Sequence, residues 1–161
     1  MSEGRFPHLD ATGEARMVDV SGKAATARSA TAAARVLLSA ECVAALRDGT
    51  VPKGDALAVA RIAGIQGAKK TPDLIPLCHP LFLSGVDVTT ELTDEGVEIT
   101  ATVKTTERTG VEMEALTAVA VAGLAVIDMI KAIDRAAVIS DVRVLSKSGG
   151  RSGDWSRAGD S

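Results

Sequence analysis

Between Gly110 and Ile133 the chain reads as one long helix that is apolar on nearly every side. Thr109 stands where it can cap this helix, and Glu112 and Glu114 suit its positive N-terminal end. A helix with no polar face has to be covered by more than one neighbour. Its most apolar run, Ala115 to Ile127, is shorter than the ~20 residues that cross a bilayer, so a buried core helix is expected. The rest of a 161-residue chain, a length that suits one domain, must supply the cover.

The material for that cover is 46% hydrophobic yet only 2% aromatic: Phe6, Phe82 and Trp155, with no Tyr. The core is left to Ala, Val, Ile and Leu. Small side chains let backbones approach closely, but each removes little apolar area from water. A lone domain built this way is modestly stable, so burial is expected to continue across subunit interfaces.

Residues 1–15 are polar and glycine-containing and are expected to form a mobile arm, followed by a short strand at Met17-Val18-Asp19-Val20. From Lys23 to Leu38 the alanine content favours helix. Thr26, Arg28, Ala30 and Ala32 share one parity, however, and we read an extended strand with a polar side facing a site. Ser39 to Arg47 is a short helix with Ser39 as N-cap and Gly49 as its stop. After the loop Thr50–Gly54, Asp55 caps a second helix running to Lys69, with an apolar stripe of Ala56, Val59, Ala60 and Ala63. Gly64 and Gly67 lower its propensity and imply close packing. Pro72, Pro76 and Pro80 punctuate TPDLIPLCHPLF, which predicts a shaped, rigid loop in place of a helix. Leu83–Leu92 and Val97–Thr106 alternate as a hairpin around Thr93-Asp94-Glu95-Gly96. Ala136–Leu145 is a β-branched closing strand, and the Gly/Ser-rich basic tail from Ser146 is expected to be mobile unless a ligand orders it. The chain is thus one domain, 1–161, with flexibility expected at 1–15 and 148–161.

Strand, helix, helix, hairpin, long helix, strand is the order of an α+β sandwich of ferredoxin-like type, a mainly antiparallel sheet with helices on one face. A net charge of -3 argues against a general polyanion binder, and the scarcity of aromatics removes the platforms on which bases stack, so no nucleic-acid partner is expected. Cys42 and Cys78 form neither a CxxC pair nor a disulfide framework, and the N-terminus has no apolar signal region. Both features predict a cytoplasmic protein without a membrane partner.

Four segments carry groups with chemistry to offer. Pro76-Leu77-Cys78-His79-Pro80 sets a thiol and an imidazole on a backbone that prolines fix. His79 can donate, accept or shuttle a proton near neutral pH, and can equally be a structural hydrogen-bonder beside a small buried cysteine. A Cys-His nucleophilic pair is disfavoured because adjacent extended residues point opposite ways, and four zinc ligands cannot be assembled from the spacing. Asp128 and Lys131, at i and i+3, share a helix face. With Leu124, Val126, Ile127, Ile130 and Ile133 around them they are expected to be partly desolvated, which makes the lysine a stronger acid; the bland alternative is a surface ion pair. Arg28, Lys53, Lys69, Lys70, Lys147 and Arg151 lie beside loops or element ends. Pro52-Lys53-Gly54 and Lys147-Ser148-Gly149-Gly150-Arg151 join a cation to glycine-freed N–H groups, a combination suited to phosphate although no Walker pattern is present. Glu112 and Glu114 suit the helix end on solvation alone, yet a carboxylate also accepts from the guanidine-like edge of a purine or pterin, against which Met113 can lie. The two carboxylates point to different helix faces, so at most one meets such a ring.

Read together, His8-Leu9-Asp10, Met17-Val18-Asp19-Val20-Ser21, Lys53-Gly54-Asp55, ARIAGIQGAKKTPDLIPLCHPL (60–81), TGVEMEALTA (109–118), Asp128-Met129-Ile130-Lys131 and KSGGRSGD (147–154) closely resemble the cyclic pyranopterin monophosphate synthase (MoaC-type) family. The stretches cover nearly the whole chain in the family's order. Arg151 stands where many relatives have Lys, which keeps the charge but changes its geometry. The resemblance implies a ferredoxin-like subunit in a hexamer, a trimer of dimers, with sites at dimer interfaces. It implies (8S)-3′,8-cyclo-7,8-dihydro-GTP, a cyclised GTP derivative, as substrate, and cyclic pyranopterin monophosphate and pyrophosphate as products, in molybdenum cofactor biosynthesis. Carried onto this chain, Asp128 is the catalytic residue with Lys53 and Lys131 as acid-base lysines. Leu77, Cys78, His79, Met113 and Glu114, with Glu112 nearby, line the substrate, and Arg28, Lys69, Lys147 and Arg151 hold the triphosphate. No cofactor is required by the sequence; the family makes Mg2+ an option, without a ligand set in view. Glycine loops and scattered cations fit a non-catalytic oligomeric regulator of GTP-like nucleotides as well, or a small structural oligomer, but neither needs the Asp128–Lys131 pair. The enzyme reading expects folding and self-association together to gather Lys53, His79, Asp128 and Lys131 around one buried cavity.

Overall fold

The segment in which alanine content and residue parity compete is a strand. In the computed structural model, which describes residues 7–160, β1 (Thr26–Leu37) is the centre of the sheet. Ala30, Ala32, Ala34 and Val36 point to one side and are buried. That side is therefore the core face and not a polar, site-facing one; Arg28, of the same parity, sits where the core runs out, half-buried. Two short helices follow, α1 (Ala40–Asp48) and α2 (Ala56–Lys69). Ser39 accepts from the Cys42 N–H and Asp55 from the Ala58 N–H, the N-caps the sequence predicts, and Gly49 closes α1 in the left-handed region with φ 70°.

After α2 the prolines do not exclude helix altogether. One turn, α3 (Thr71–Leu74), forms with Pro72 in its first turn, where a missing N–H costs nothing. The loop that follows leads into β2 (Leu83–Leu92), which turns back as β3 (Gly96–Glu107). Then come α4 (Glu112–Ile130), β4 (Val138–Ser148) and a two-residue β5 (Trp155–Ser156). The sheet order is β2-β3-β1-β4-β5, and every neighbouring pair is antiparallel. β1 and β2 run the same way with β3 between them, so α2 is the crossover of a split β-α-β unit and α4 serves β3 and β4 likewise. This is the expected ferredoxin-like α+β sandwich.

Helices α2 and α4 cover one face of the sheet and meet closely because of two glycines. A Cβ on Gly64 would stand 3.0 Å from the Ala118 carbonyl oxygen, and one on Gly67 would stand 2.9 Å from Val121 Cβ. Ala115, Ala118, Val119, Ala122 and Val126 of α4 are buried in the core. At 19 residues α4 is long and apolar enough to cross a membrane, contrary to the length argument made from Ala115–Ile127, but more than half of it is buried against the rest of the chain.

Three local expectations are corrected. Met17–Val20 is not a strand; its backbone pairs with no strand, and the nearby bridge joins Leu9 to Ala15. Thr109 does not cap α4, since Val111 occupies the N-cap position and has no side-chain oxygen to offer. The tail read as mobile enters the sheet: Ser146–Ser148 extend β4, and β5 pairs with it at Ser146 and Lys147. Arg143 holds Asp160 in a bidentate pair at 2.8 and 2.9 Å, and Arg157 donates to the Val144 carbonyl at 2.7 Å. Residues 1–6, part of the arm expected to be mobile, and Ser161 lie outside the described residues.

Candidate active site

The cation–carboxylate cluster forms at the C-terminal end of α4. Lys53, on the turn closed by Gly54 N–H to the Val51 carbonyl, reaches across to the helix. Its Nζ donates to the Asp128 carbonyl at 3.0 Å and to Asp128 Oδ1 at 3.2 Å. Lys131 Nζ donates to the same Oδ1 at 2.8 Å. One carboxylate oxygen thus sits between two ammonium groups. The Lys131 hydrogen bond first, then that of Lys53 and the charges of both, hold the Asp128 carboxyl below the usual range. The cluster is not desolvated as expected: the side chains of Lys53, Asp128 and Lys131 are 45%, 59% and 57% exposed. Asp128 shares its helix face with Leu124, which is itself 59% exposed, so in one chain this face looks outward.

A second group gathers at the other end of α4. Leu77, Cys78, His79, Glu112, Met113 and Glu114 line a cleft of about 360 Å³ together with Val18, Val20 and Lys23. The loop bearing the first three is braced at both ends. Thr71 Oγ1 donates to the Gly67 carbonyl at 3.1 Å and Thr105 Oγ1 to the Phe82 carbonyl at 2.6 Å, while Cys78 N–H closes a turn on the Ile75 carbonyl at 3.1 Å. His79 Nε2 donates to the Val18 carbonyl, which leaves Nδ1 of a neutral ring free to accept. Glu114 is only 3% exposed, and burial, with a smaller push from Glu112, raises its carboxyl to about 7. Burial and then the Glu114 charge also push the Cys78 thiol up, which argues against a thiolate nucleophile.

The phosphate candidates divide. Arg28 and Arg151 line a cleft of about 430 Å³ with Gly22, Lys23, Thr26 and Gly150. Arg28 is anchored there by the Glu107 and Arg108 carbonyls at 3.1 and 3.3 Å. Gly150, at φ +78°, lies so close that a Cβ would stand 2.2 Å from the Arg28 guanidinium. Lys147 lies 3.5 Å from Glu112 and donates to Ser152 Oγ at 2.7 Å, so it ties this loop to the first turn of α4. Lys69 is elsewhere, on a separate cleft with Phe82 and Val86. Lys23, which lines both the Glu114 cleft and the Arg28 cleft, escaped the sequence analysis. The signal was present: it follows Gly22 as Lys53 precedes Gly54.

The two ends of α4 do not meet. Asp128 lies 14 positions beyond Glu114, roughly 21 Å along the axis at 1.5 Å per residue. The single buried cavity expected around Lys53, His79, Asp128 and Lys131 is therefore not formed within one chain. Each end nonetheless offers what the other lacks: two ammonium groups on a carboxylate at one, a shaped cleft with cations beside it at the other.

Comparison with known proteins bears on this arrangement. The MoaC family profile matches residues 17–150. The chain is 66% identical to a cyclic pyranopterin monophosphate synthase of Streptomyces avermitilis over 98% of this chain and 92% of that protein. It is 65% identical to the one from Nocardioides sp., over 97% of this chain and 98% of that protein. It is 53% identical to the one from Peptoclostridium acidaminophilum, over 94% and 97%.

Proposed function

The chain belongs to the MoaC family, and on that premise we propose that it is a cyclic pyranopterin monophosphate synthase, a lyase of molybdenum cofactor biosynthesis. It converts (8S)-3′,8-cyclo-7,8-dihydro-GTP to cyclic pyranopterin monophosphate and pyrophosphate. The observation that carries the reading is Asp128 Oδ1 held between Lys53 and Lys131 at 3.2 and 2.8 Å. Opening and reclosing a purine-derived ring needs several proton transfers. Two lysines hydrogen-bonded to one carboxylate oxygen set proton donors and an acceptor side by side. His79 serves the same chemistry from the cleft side through Nδ1.

The cleft of Leu77, Cys78, His79 and Met113 suits a flat heterocycle, and Glu114, rather than Glu112, faces its N–H donors, since Glu112 is paired with Lys147. Arg28, Arg151, Lys147 and Lys23 hold the triphosphate and stabilise pyrophosphate as a ribose hydroxyl attacks the α-phosphorus. Lys69 joins them only from another copy of the chain.

Joining the two ends of α4 takes at least two chains, and we assign the site to a dimer interface within a hexamer, a trimer of dimers. Phe82, 76% exposed, with Ile62 and Leu124, is the kind of apolar surface such interfaces cover. The free cysteines Cys42 and Cys78 fit a reducing cytoplasm. Among the described residues of one chain no group of three or more His, Cys, Asp and Glu gathers, so the magnesium option rests on the family alone. Incubating the purified protein with the cyclised GTP substrate tests the reading. Stoichiometric pyrophosphate and a pterin fluorescent after oxidation are expected; binding without either product would leave a nucleotide-binding regulator instead.

A further inference from the structure

The Glu114 cleft is roofed by a segment that barely touches the rest of the molecule. Residues 7–20 form no strand in the sheet. They are organised within themselves: Asp10 caps a turn through the Thr12 and Glu14 N–H groups at 2.8 and 3.0 Å, and Arg16 donates from its N–H to the His8 carbonyl at 2.8 Å and from Nε to the Pro7 carbonyl at 3.2 Å. Every residue from Pro7 to Met17 is exposed, and only Val18 and Val20 are half-buried. Yet Pro7, His8, Val18 and Val20 line the cleft that holds Cys78, His79 and Glu114. Beyond the contacts at its own end, where Lys23 N–H donates to the Val20 carbonyl at 3.0 Å and Ser21 N–H to Asp19 Oδ1 at 2.9 Å, one hydrogen bond among the described residues joins this segment to the body, from His79 Nε2 to the Val18 carbonyl. No ion pair among the described residues crosses between them.

We propose that residues 7–20 are a strap that covers the cleft, latched by the single contact between His79 and the Val18 carbonyl and hinged at Ser21–Ala25, so that ligand enters only when the strap lifts. A segment with few buried contacts and one bond to the core opens at the low-cost end of a protein's motions. The hinge has room, since a Cβ on Gly22 would meet nothing within 4 Å. The latch residue is also a cleft residue, so a ligand that engages the imidazole competes for or reinforces the same contact.

Cys78 reports on the strap. It lies beneath it, while the other cysteine, Cys42, is fully buried and silent. The alkylation rate of Cys78 by iodoacetamide is measured in the full chain and in a chain lacking residues 1–20; none of the described residues removed, 7–20, belongs to the buried core. Removal of the strap is expected to speed alkylation by about tenfold or more. A rate equal to that of the full chain would overturn the proposal. For the latch, tryptic cleavage after Arg16 is followed by mass spectrometry in wild type and His79→Ala. Cleavage faster by about fivefold is expected, the change that one hydrogen bond of ordinary net strength makes in an opening equilibrium. An unchanged rate would remove His79 as the latch. Neither readout needs turnover, so the strap stands or falls apart from the proposed chemistry.

Discussion

Asp128 and Glu114 are carboxylates on one helix pushed in opposite directions by their surroundings. Asp128 is exposed and lies between two ammonium groups, which favour its charge. Glu114 is buried beside Glu112, which disfavours it. Each has its own test. Asp128→Asn keeps the shape but no longer balances Lys53 and Lys131. It should lower pyrophosphate release by at least about a hundredfold while leaving the urea midpoint near that of wild type, because an exposed carboxylate contributes little to folding. Loss of stability in step with activity would make Asp128 structural. Glu114 carries a pH signature. Its carboxyl titrates near 7 in the folded chain against a reference of 4.5. Between those values the unfolded chain has released a proton that the folded chain keeps, so stability falls as pH rises through the window. Glu114→Gln is neutral throughout. Urea denaturation should find the two proteins alike near pH 4 and the variant more stable at pH 8, by up to about 3 kcal/mol.

At the scale of elements, the α2–α4 contact depends on what Gly64 and Gly67 omit. Gly67→Val puts branched carbons where a Cβ alone would stand 2.9 Å from Val121 Cβ, and should cost about 2 kcal/mol in denaturant unfolding. Substitution at Gly22 should cost little, since nothing lies near it. Those two helix glycines were legible as packing sites because a propensity penalty inside a long apolar pattern needs a compensating reason. The caps at Ser39 and Asp55 were legible because capping is settled within a few residues. The features that escaped depend on distant partners. The tail's docking needs Arg143 to find Asp160, which no local rule foresees. The sequence leaves open whether Asp128 is desolvated or in a surface ion pair, because an apolar pattern around a helix says that cover is required, not whether this chain or another supplies it; Leu124 is uncovered within one chain. Lys23 carries the local signal of a cation beside a glycine, but its place at the junction of two clefts depends on the packing of the turn before β1.

At the scale of the whole molecule, the proposed assembly rests on the rigidity of α4. A helix of 19 residues does not fold back, so its ends, roughly 21 Å apart between Glu114 and Asp128, can serve one reaction only if a neighbouring chain brings the opposite end. The proposed composite site is divisible between two inactive proteins. Asp128→Asn disables the ammonium–carboxylate end and His79→Ala the cleft end, and each alone should abolish turnover. When the two are co-expressed and purified as mixed oligomers, a heterodimer has one site that carries both substitutions and one that carries neither. Random pairing makes half the dimers heterodimers, each with one intact site of two, so activity should return to about one quarter of wild type. Mixing two separately inactive proteins restores nothing if each site is built within a single chain, and mixed oligomers that stay inactive would refute the composite site. That result would also force Lys53, Asp128 and Lys131 back to the status of a surface ion cluster, because nothing else in one chain brings a heterocycle to them.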